Sequence, residues 1–267
     1  MSELPRRDPL PCEEYRAVAR QAWQHLAGPA GEVIEADTLR TARDIVDPDA
    51  WIPWARIASV LCVGAGGGWQ APLIASLGPS VTVVDISSRQ LDKDRAAAAR
   101  HGLAIECVEA DMVDLEVLAG RVFDLVYQPI CTCYIPDMAA LYRSIASVTR
   151  VGSLYWAEHW NAGQIQLDAT RTWDGEAYRV AHPVGFGEPI LWRSPEPVDG
   201  ETVTCWHFAH SVGQLLGELC AAGFSIERIT EPGAADPDAP PNSPEHVAAY
   251  LPPFLRVLAR CSPGEGQ

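Results

Sequence analysis

Basic residues are scarce in this chain. Lysine and arginine together number 20 against 35 aspartates and glutamates, a formal charge of −15 over 267 residues. A protein that grips a phosphate backbone needs clustered Lys and Arg, so no nucleic-acid partner is expected. Solubility alone accounts for the acidity. Paired cysteines are missing too. The eight cysteines include no CxxC, and Cys131 and Cys133 form a single CxC without a second pair or nearby histidines, a poor zinc signature. Cys62 and Cys107 lie in apolar strand patterns and read as small buried hydrophobes, which suits a reduced, cytoplasmic protein. No uninterrupted apolar run reaches membrane-crossing length, and the opening MSELPRRDPLPCEEY lacks the apolar stretch of a signal peptide. The expectation is therefore a protein with no membrane partner. No internal repeat is present. The remaining composition, 48% hydrophobic and 21% charged, is that of a globular chain long enough for one large or two small domains with a full core.

The most informative segment is VLCVGAGGGW (Val60 to Trp69), followed by VTVVDISSRQL (Val81 to Leu91). It reads as strand, glycine turn, helix, strand, and then an acid at the strand's carboxyl end. Gly64, Gly66, Gly67 and Gly68 leave no side chains where a ligand must approach the backbone closely. Asp85 is placed to accept hydrogen bonds from a ribose. A nucleoside-containing cofactor is expected, and the spacing discriminates between two kinds. A dinucleotide fingerprint needs its third glycine where this chain has Trp69, and an indole does not permit that close helix packing. The G-x-G-x-G turn that suits S-adenosylmethionine (SAM) is met by Gly64, Gly66 and Gly68.

Around this segment the pattern alternates. Helical spacing covers Glu13 to Ala27, ended by Gly28 and Pro29, and a second helix spans Asp37 to Val46. Strands are expected at Ser59–Val63, Val81–Val84, Ala104–Val108, Phe123–Tyr127 and Ser153–Trp160, with helices at Ala71–Leu77, Ser88–His101 and Asp137–Thr149 between them. A serine is a candidate cap for the second of these helices, and Gly102 lies just past its end. This alternation predicts an α/β fold with a mostly parallel, doubly wound sheet. Ligands then sit beyond the strand carboxyl ends near the point where strand order reverses, and the glycine turn, Asp85, Asp111 and Gln128 all fall on that edge. From Asn161 to about Trp206 the pattern breaks into aromatic-rich pieces, read as an inserted lid. A helix at Ser211–Ala222, a strand at Phe224–Thr230, a proline-rich loop over Pro232–Pro244 and a last antiparallel strand at Leu255–Cys261, at or near the sheet edge, complete the chain. The organisation expected is an N-terminal helical extension over 1–57, a cofactor-binding domain over 58–262, and within it a lid over 161–206.

With these residues in view, the chain resembles the class I SAM-dependent methyltransferases, particularly the small-molecule group that includes ubiquinone and menaquinone C-methyltransferase-like enzymes. The carriers are VGAGGG (Val63–Gly68), VVDIS (Val83–Ser87), EADM (Glu109–Met112), FDLVYQ (Phe123–Gln128), YIPDM (Tyr134–Met138), RVGSLYW (Arg150–Trp156) and AAGFSIERITE (Ala221–Glu231). The resemblance implies a seven-stranded Rossmann-like sheet and a methyl donor bound along its edge. Gly64, Gly66 and Gly68 would lie against the donor's methionine portion, with Trp69 and Gln70 closing over that end. Asp85 would bind the ribose hydroxyls and Ile86 would pack on the adenine. Asp111 would accept from the adenine amino group beside Met112, and Gln128 would face the transfer locus. Cys62 departs from the family, which usually carries an acid there. RVGSL replaces the usual proline-glycine-glycine turn and keeps the permissive glycine as Gly152.

Methyl transfer from a sulfonium needs alignment of nucleophile, methyl and sulfur more than it needs a base. A base is required only for an acceptor proton of high pKa. Candidates are His159 and Glu158 at the end of the fifth strand, with Tyr134 to orient the acceptor; His207 and His210 are further options. Trp156, Trp160, Trp173, Trp192 and Trp206 either form the lid's own core or line an aromatic acceptor pocket. YQPICTCY after the fourth strand offers no carboxylates for a metal, and none is expected. The sequence reading is thus an enzyme that methylates a small, aromatic or apolar acceptor, with one of secondary metabolism expected, and releases S-adenosylhomocysteine. It is compatible with a homodimer. Rival readings are a fold of this kind that uses the donor structurally for another step such as cyclisation, an NAD-dependent oxidoreductase, and a non-catalytic interaction domain.

Overall fold

Runs of apolar residues and glycine-ended helices take their expected places in the computed structural model, which describes residues 12–27, 33–167, 172–185, 188–194 and 197–262. In chain order the elements are α1 (Cys12–Leu26), α2 (Ala36–Arg40), α3 (Ala42–Val46), β1 (Ser59–Val63), α4 (Gln70–Ser76), β2 (Ser80–Asp85), α5 (Ser88–His101), β3 (Ile105–Glu109) and β4 (Leu125–Gln128). They continue as α6 (Met138–Ser147), β5 (Leu154–Trp160), α7 (Ala162–Gln166), β6 (Pro189–Arg193), β7 (Thr204–Phe208), α8 (Glu218–Ala221), β8 (Phe224–Thr230), α9 (Pro244–Tyr250) and β9 (Phe254–Cys261).

Seven strands form one sheet in the order β3-β2-β1-β4-β5-β9-β8. The first five are mutually parallel, and β9 runs antiparallel to both neighbours. β1 and β4 are buried along almost their whole length, as expected of central strands covered on both faces. One face packs on α6 and α8 through Leu141, Tyr142, Ile145 and Leu219. The other packs on α3 and α4 through Val46, Leu73 and Ile74. Strand order reverses between β1 and β4, so a crevice opens beyond their carboxyl ends.

Local signals explain the helix limits. The Ser87 hydroxyl accepts from the Gln90 N–H at the start of α5, and Gly102, at φ 65°, lets its N–H bond back to the Ala98 carbonyl. Asp137 caps α6 in the same way.

Several expectations need correction. The helix expected at Asp37–Val46 is two short helices that break at Thr41. The stretch Ser211–Ala222 holds a π-helical turn at Gly213–Gly217 followed by a single α-helical turn, consistent with low-propensity glycines at both ends. β9 lies one strand in from the edge, with β8 paired outside it, in keeping with the antiparallel strand expected at or near that edge. The stretch expected as an inserted lid carries most of a two-stranded hairpin, β6 with β7, and α9, capped by Ser243 and opened by Pro244, follows the proline-rich loop where no helix was expected. Gly28 and Pro29 lie outside the described residues. Among the described residues no helix is long and apolar enough to cross a membrane.

Candidate active site

A cavity of about 350 Å³ opens at the carboxyl ends of β1, β2 and β4. Its floor is the turn that leaves β1. Gly64 has φ 57°, in the left-handed region, and a Cβ there would stand 2.8 Å from Cys131 Sγ. A Cβ on Gly66 would stand 2.8 Å from Asp85 Cγ. Both positions therefore need glycine, the first for conformation and the second for close approach. The bare backbone of Gly64, Ala65 and Gly66 faces the cavity. Gly68 sits behind it, donating its N–H to Asp94 Oδ1 at 3.1 Å, while Gly67 donates to Asp94 Oδ2 at 3.0 Å.

Asp85 ends β2 and lines the cavity. Its Oδ2 accepts from the Gly66 N–H and its Oδ1 from the Ser87 N–H, each at 2.9 Å. Burial pushes its carboxyl pKa up, and the backbone N–H groups pull against that. Each carboxylate oxygen keeps a further lone pair for a ligand. Ile86, Asp111 and Met112 continue the wall, and Trp69 and Gln70 stand at the start of α4 on the same cavity. Asp111 is already engaged: Oδ1 accepts from the Val113 N–H at 3.0 Å, and Oδ2 pairs with Arg16 Nε at 2.5 Å.

The far end is aromatic and charged. Tyr127 and Trp156 lie on adjacent strands and stack with ring centroids 4.2 Å apart and planes within 4°. Glu158 follows Trp156 by two residues, so it shares that face of β5. Opposite it on β9 is Arg256, whose guanidinium lies 5.6 Å from the Trp156 ring centre. Arg256 Nε donates to Glu158 Oε2 at 2.8 Å, a second guanidinium nitrogen donates to the same oxygen, and the third bonds Asp49. Tyr134 also lines the cavity, edge-on to Trp23 at 5.1 Å. Burial holds its phenol pKa well above the usual value, so it is a hydrogen-bond donor and not a phenolate.

Besides Gly68, which lies behind the turn, two predicted residues do not face the cavity. His159 alternates with Glu158 and points through the opposite face of β5, fully buried, with Nδ1 3.0 Å from the Thr132 hydroxyl. Burial depresses its pKa to about 3, so it stays neutral, and it has no line to an acceptor in the cavity. Gln128 is fully buried, its amide bonded to Cys131 Sγ and its carbonyl accepting from the Tyr155 hydroxyl; the following Pro129, Ile130 and Cys131 form the wall instead. Among the other histidines considered, His210 is tied by Nε2 to the Thr132 and Ile135 carbonyls, and His207 stacks on Trp192.

Four of the five tryptophans considered for the acceptor pocket pack away from the cavity. Trp173 sits against Tyr178, His246 and Tyr250, and Trp160 against Phe254. Only Trp156 of the five predicted lines the cavity. Sequence reasoning missed Tyr15, Ala19 and Trp23, which α1 lays along the cavity wall, and Ile45 and Val46 from α3. Their helical periodicity was visible, but nothing local says which edge of the sheet they reach. Asp94 was also missed. Its signal was a carboxylate on the buried stripe Gln90, Leu91, Asp94 and Ala97 of α5. Among the described residues no three His, Cys, Asp or Glu side chains converge as metal ligands.

Comparison with known proteins gives one consistent pattern. A family model described as a methyltransferase domain matches residues 61–157, the span from β1 through most of β5. The chain is 30% identical over 185 residues to an uncharacterized methyltransferase, YbaJ of Bacillus subtilis, covering 69% of this chain and 72% of that one. It is 28% identical over 160 residues to a ubiquinone biosynthesis O-methyltransferase of Methylobacterium sp., covering 55% of this chain and 64% of the relative. Among solved structures, an S-adenosylmethionine dependent methyltransferase from Mesorhizobium loti superposes with a TM-score of 0.59 at 23% identity, over 88% of this chain and 99% of that one. That likeness shows the shared fold.

Proposed function

The chain belongs to the class I SAM-dependent methyltransferases, and from that premise we propose that it moves a methyl group from SAM to a small aromatic or apolar acceptor, releasing S-adenosylhomocysteine. The observation that carries this reading is a single cavity joining two chemically different ends. One is a bare glycine backbone with a strand-end acid; the other is a flat aromatic wall with a charged pair.

The first end suits the cofactor. A side chain at Gly64 or Gly66 would strike Cys131 or the Asp85 carboxyl, so the turn keeps its backbone on the cavity wall with Asp85 close beside it. Gly64, Gly66 and, behind them, Gly68 would support the methionine portion, with Trp69 and Gln70 beside it. Asp85 would use its remaining lone pairs on the ribose hydroxyls. Ile86 and Met112 would pack on the adenine, and Asp111 would receive its amino group by sharing or exchanging the Arg16 contact. When bound, the cofactor's sulfonium supplies an electrophilic methyl carbon with a good leaving group.

The second end suits an acceptor. Tyr127 and Trp156 would stack on a flat ring. Arg256 keeps Glu158 oriented through Oε2, which leaves Oε1 to receive an N–H or O–H of the acceptor. Tyr134, kept protonated, would donate to a polar acceptor atom. The apolar walls exclude water, and fixed placement of the reacting atoms accounts for most of the rate in such a displacement. The formal charge of −15 favours a small-molecule acceptor over nucleic acid.

Turnover tests this. The purified protein with SAM and a panel of phenols, aromatic amines and apolar carbon acids is expected to release S-adenosylhomocysteine with at least one, giving a product heavier by one CH₂. Tight binding of SAM with no release across the panel would favour the structural use of the cofactor instead.

A further inference from the structure

The glycine turn is held from below by an acid that β1 does not supply. Asp94, fully buried on α5, receives the N–H groups of both Gly67 and Gly68, one on each carboxylate oxygen. On β1 itself the nearest candidate is Cys62, a thiol that burial keeps neutral. Among the described residues Asp94 has no salt-bridge partner. A Cβ on Gly68 would stand 3.0 Å from Lys93 Cβ and 3.1 Å from its carbonyl oxygen, so the turn lies close against this stretch of α5. A buried carboxylate whose partners are backbone N–H groups is costly unless those bonds serve something.

We propose that Asp94 is the positioning residue of the cofactor turn: its ionised carboxylate holds the Gly67 and Gly68 N–H groups so that Gly64 and Gly66 present their backbone to the nucleoside, and cofactor binding selects this ionised form with release of a proton. The inference rests on the cofactor reading above. Its chemistry follows from donor and acceptor counting. An ionised carboxylate accepts on both oxygens, whereas the neutral acid turns a hydroxyl toward one of the two N–H groups, and donor meets donor. Burial raises the Asp94 pKa to about 7, against the pull of the two turn N–H groups, and the nearby Asp85 charge raises it further. The ionisable groups facing it are Asp85 from β2, Cys62 from β1 and Cys107 from β3, whose thiol pKa burial lifts to about 11. The α4 sequence QAPLIAS carries none, and α1 meets α5 through Trp23 and Gln24. Neither thiol titrates near neutrality, so the switch belongs to Asp94 and its coupling to Asp85.

The test is calorimetry of S-adenosylhomocysteine binding from pH 6 to 8.5, in buffers of differing protonation enthalpy. If only the ionised form is competent, apparent affinity of the natural protein falls about tenfold between pH 8 and pH 6, and about half a proton is released per site at pH 7. Asp94→Asn, which must turn its amide N–H₂ toward one backbone N–H, is expected to bind at least tenfold more weakly at pH 8. It should show a flat pH profile and no proton release, and amide exchange across residues 60–70 of the ligand-free variant should quicken. A variant that binds like the natural protein, or still releases the proton, overturns the assignment. Should Asp94→Asn fail to fold, the natural protein decides alone: a flat affinity profile without proton release is equally contrary. No binding by the natural protein at any pH would overturn the cofactor reading itself, and this inference with it.

Discussion

Arg16 of α1 and Asp111, two residues beyond β3, form an ion pair with Nε and Oδ2 2.5 Å apart. The pair fastens the N-terminal helix to the sheet edge where the cavity lies, and the same helix supplies Tyr15, Ala19 and Trp23 to its wall. A helix outside the sheet is thereby part of the site, and Asp111 serves both the strap and the proposed adenine contact.

Loosening that strap should speed exchange without unfolding the protein. Arg16 is about a third exposed, so the pair contributes about 1 kcal/mol or less. Arg16→Met is expected to raise the S-adenosylhomocysteine off-rate several-fold with little change in urea midpoint. Stopped-flow tryptophan fluorescence reads it, and an unchanged off-rate would detach α1 from ligand exchange.

Asp85 carries the strongest cofactor prediction. Asp85→Ala removes the proposed ribose acceptor and frees the Gly66 and Ser87 N–H groups it holds. Affinity for SAM should fall at least tenfold, about 1.4 kcal/mol or more. Calorimetric affinity equal to that of the natural protein would remove Asp85 from the binding role.

Arg256 stabilises the acceptor end. It is mostly buried and bridges Glu158 and Asp49, and removing the cation leaves two carboxylates uncompensated. Arg256→Met should cost about 3 kcal/mol in urea unfolding. Glu158→Gln keeps a hydrogen-bonding partner and should cost less, while lowering turnover with any acceptor that bears an N–H or O–H. Equal unfolding free energies for the natural protein and Arg256→Met would show that the pair is not stabilising.

His159 sets part of the acid response. Its folded pKa is depressed from 6.5 to about 3 by burial, followed by the influence of His210, and burial shifts His210 in the same direction. The unfolded chain therefore takes up protons between pH 6.5 and 3 that the folded chain does not, so stability is full above pH 6.5 and declines as pH falls through that window. His159→Gln should flatten the slope of urea midpoint against pH between 6.5 and 4. Superimposable slopes would contradict the assignment.

The sheet edge was legible because its signals are local. The glycine spacing from Gly64 to Gly68 and the acid ending β2 each follow from a few adjacent residues, and the order of alternating elements fixes which ends come together. The rest depends on long-range packing. His159 and Glu158 are adjacent in sequence, and only the register of β5 against β9 decides that Glu158 faces the cavity. Arg256 lies 98 residues from its partner Glu158, and α1 reaches the cavity through contacts with α5 and β7 that no spacing rule encodes. The hairpin β6–β7 escaped because short alternating strands between prolines look like loop.

The most direct test of the central claim is calorimetric titration of the purified protein with SAM, S-adenosylhomocysteine and, as a control, NAD. Micromolar binding of both sulfur nucleosides with no response to NAD is the predicted result. Silence from both, or saturable binding of NAD in their place, would contradict the cofactor assignment on which the proposed activity stands.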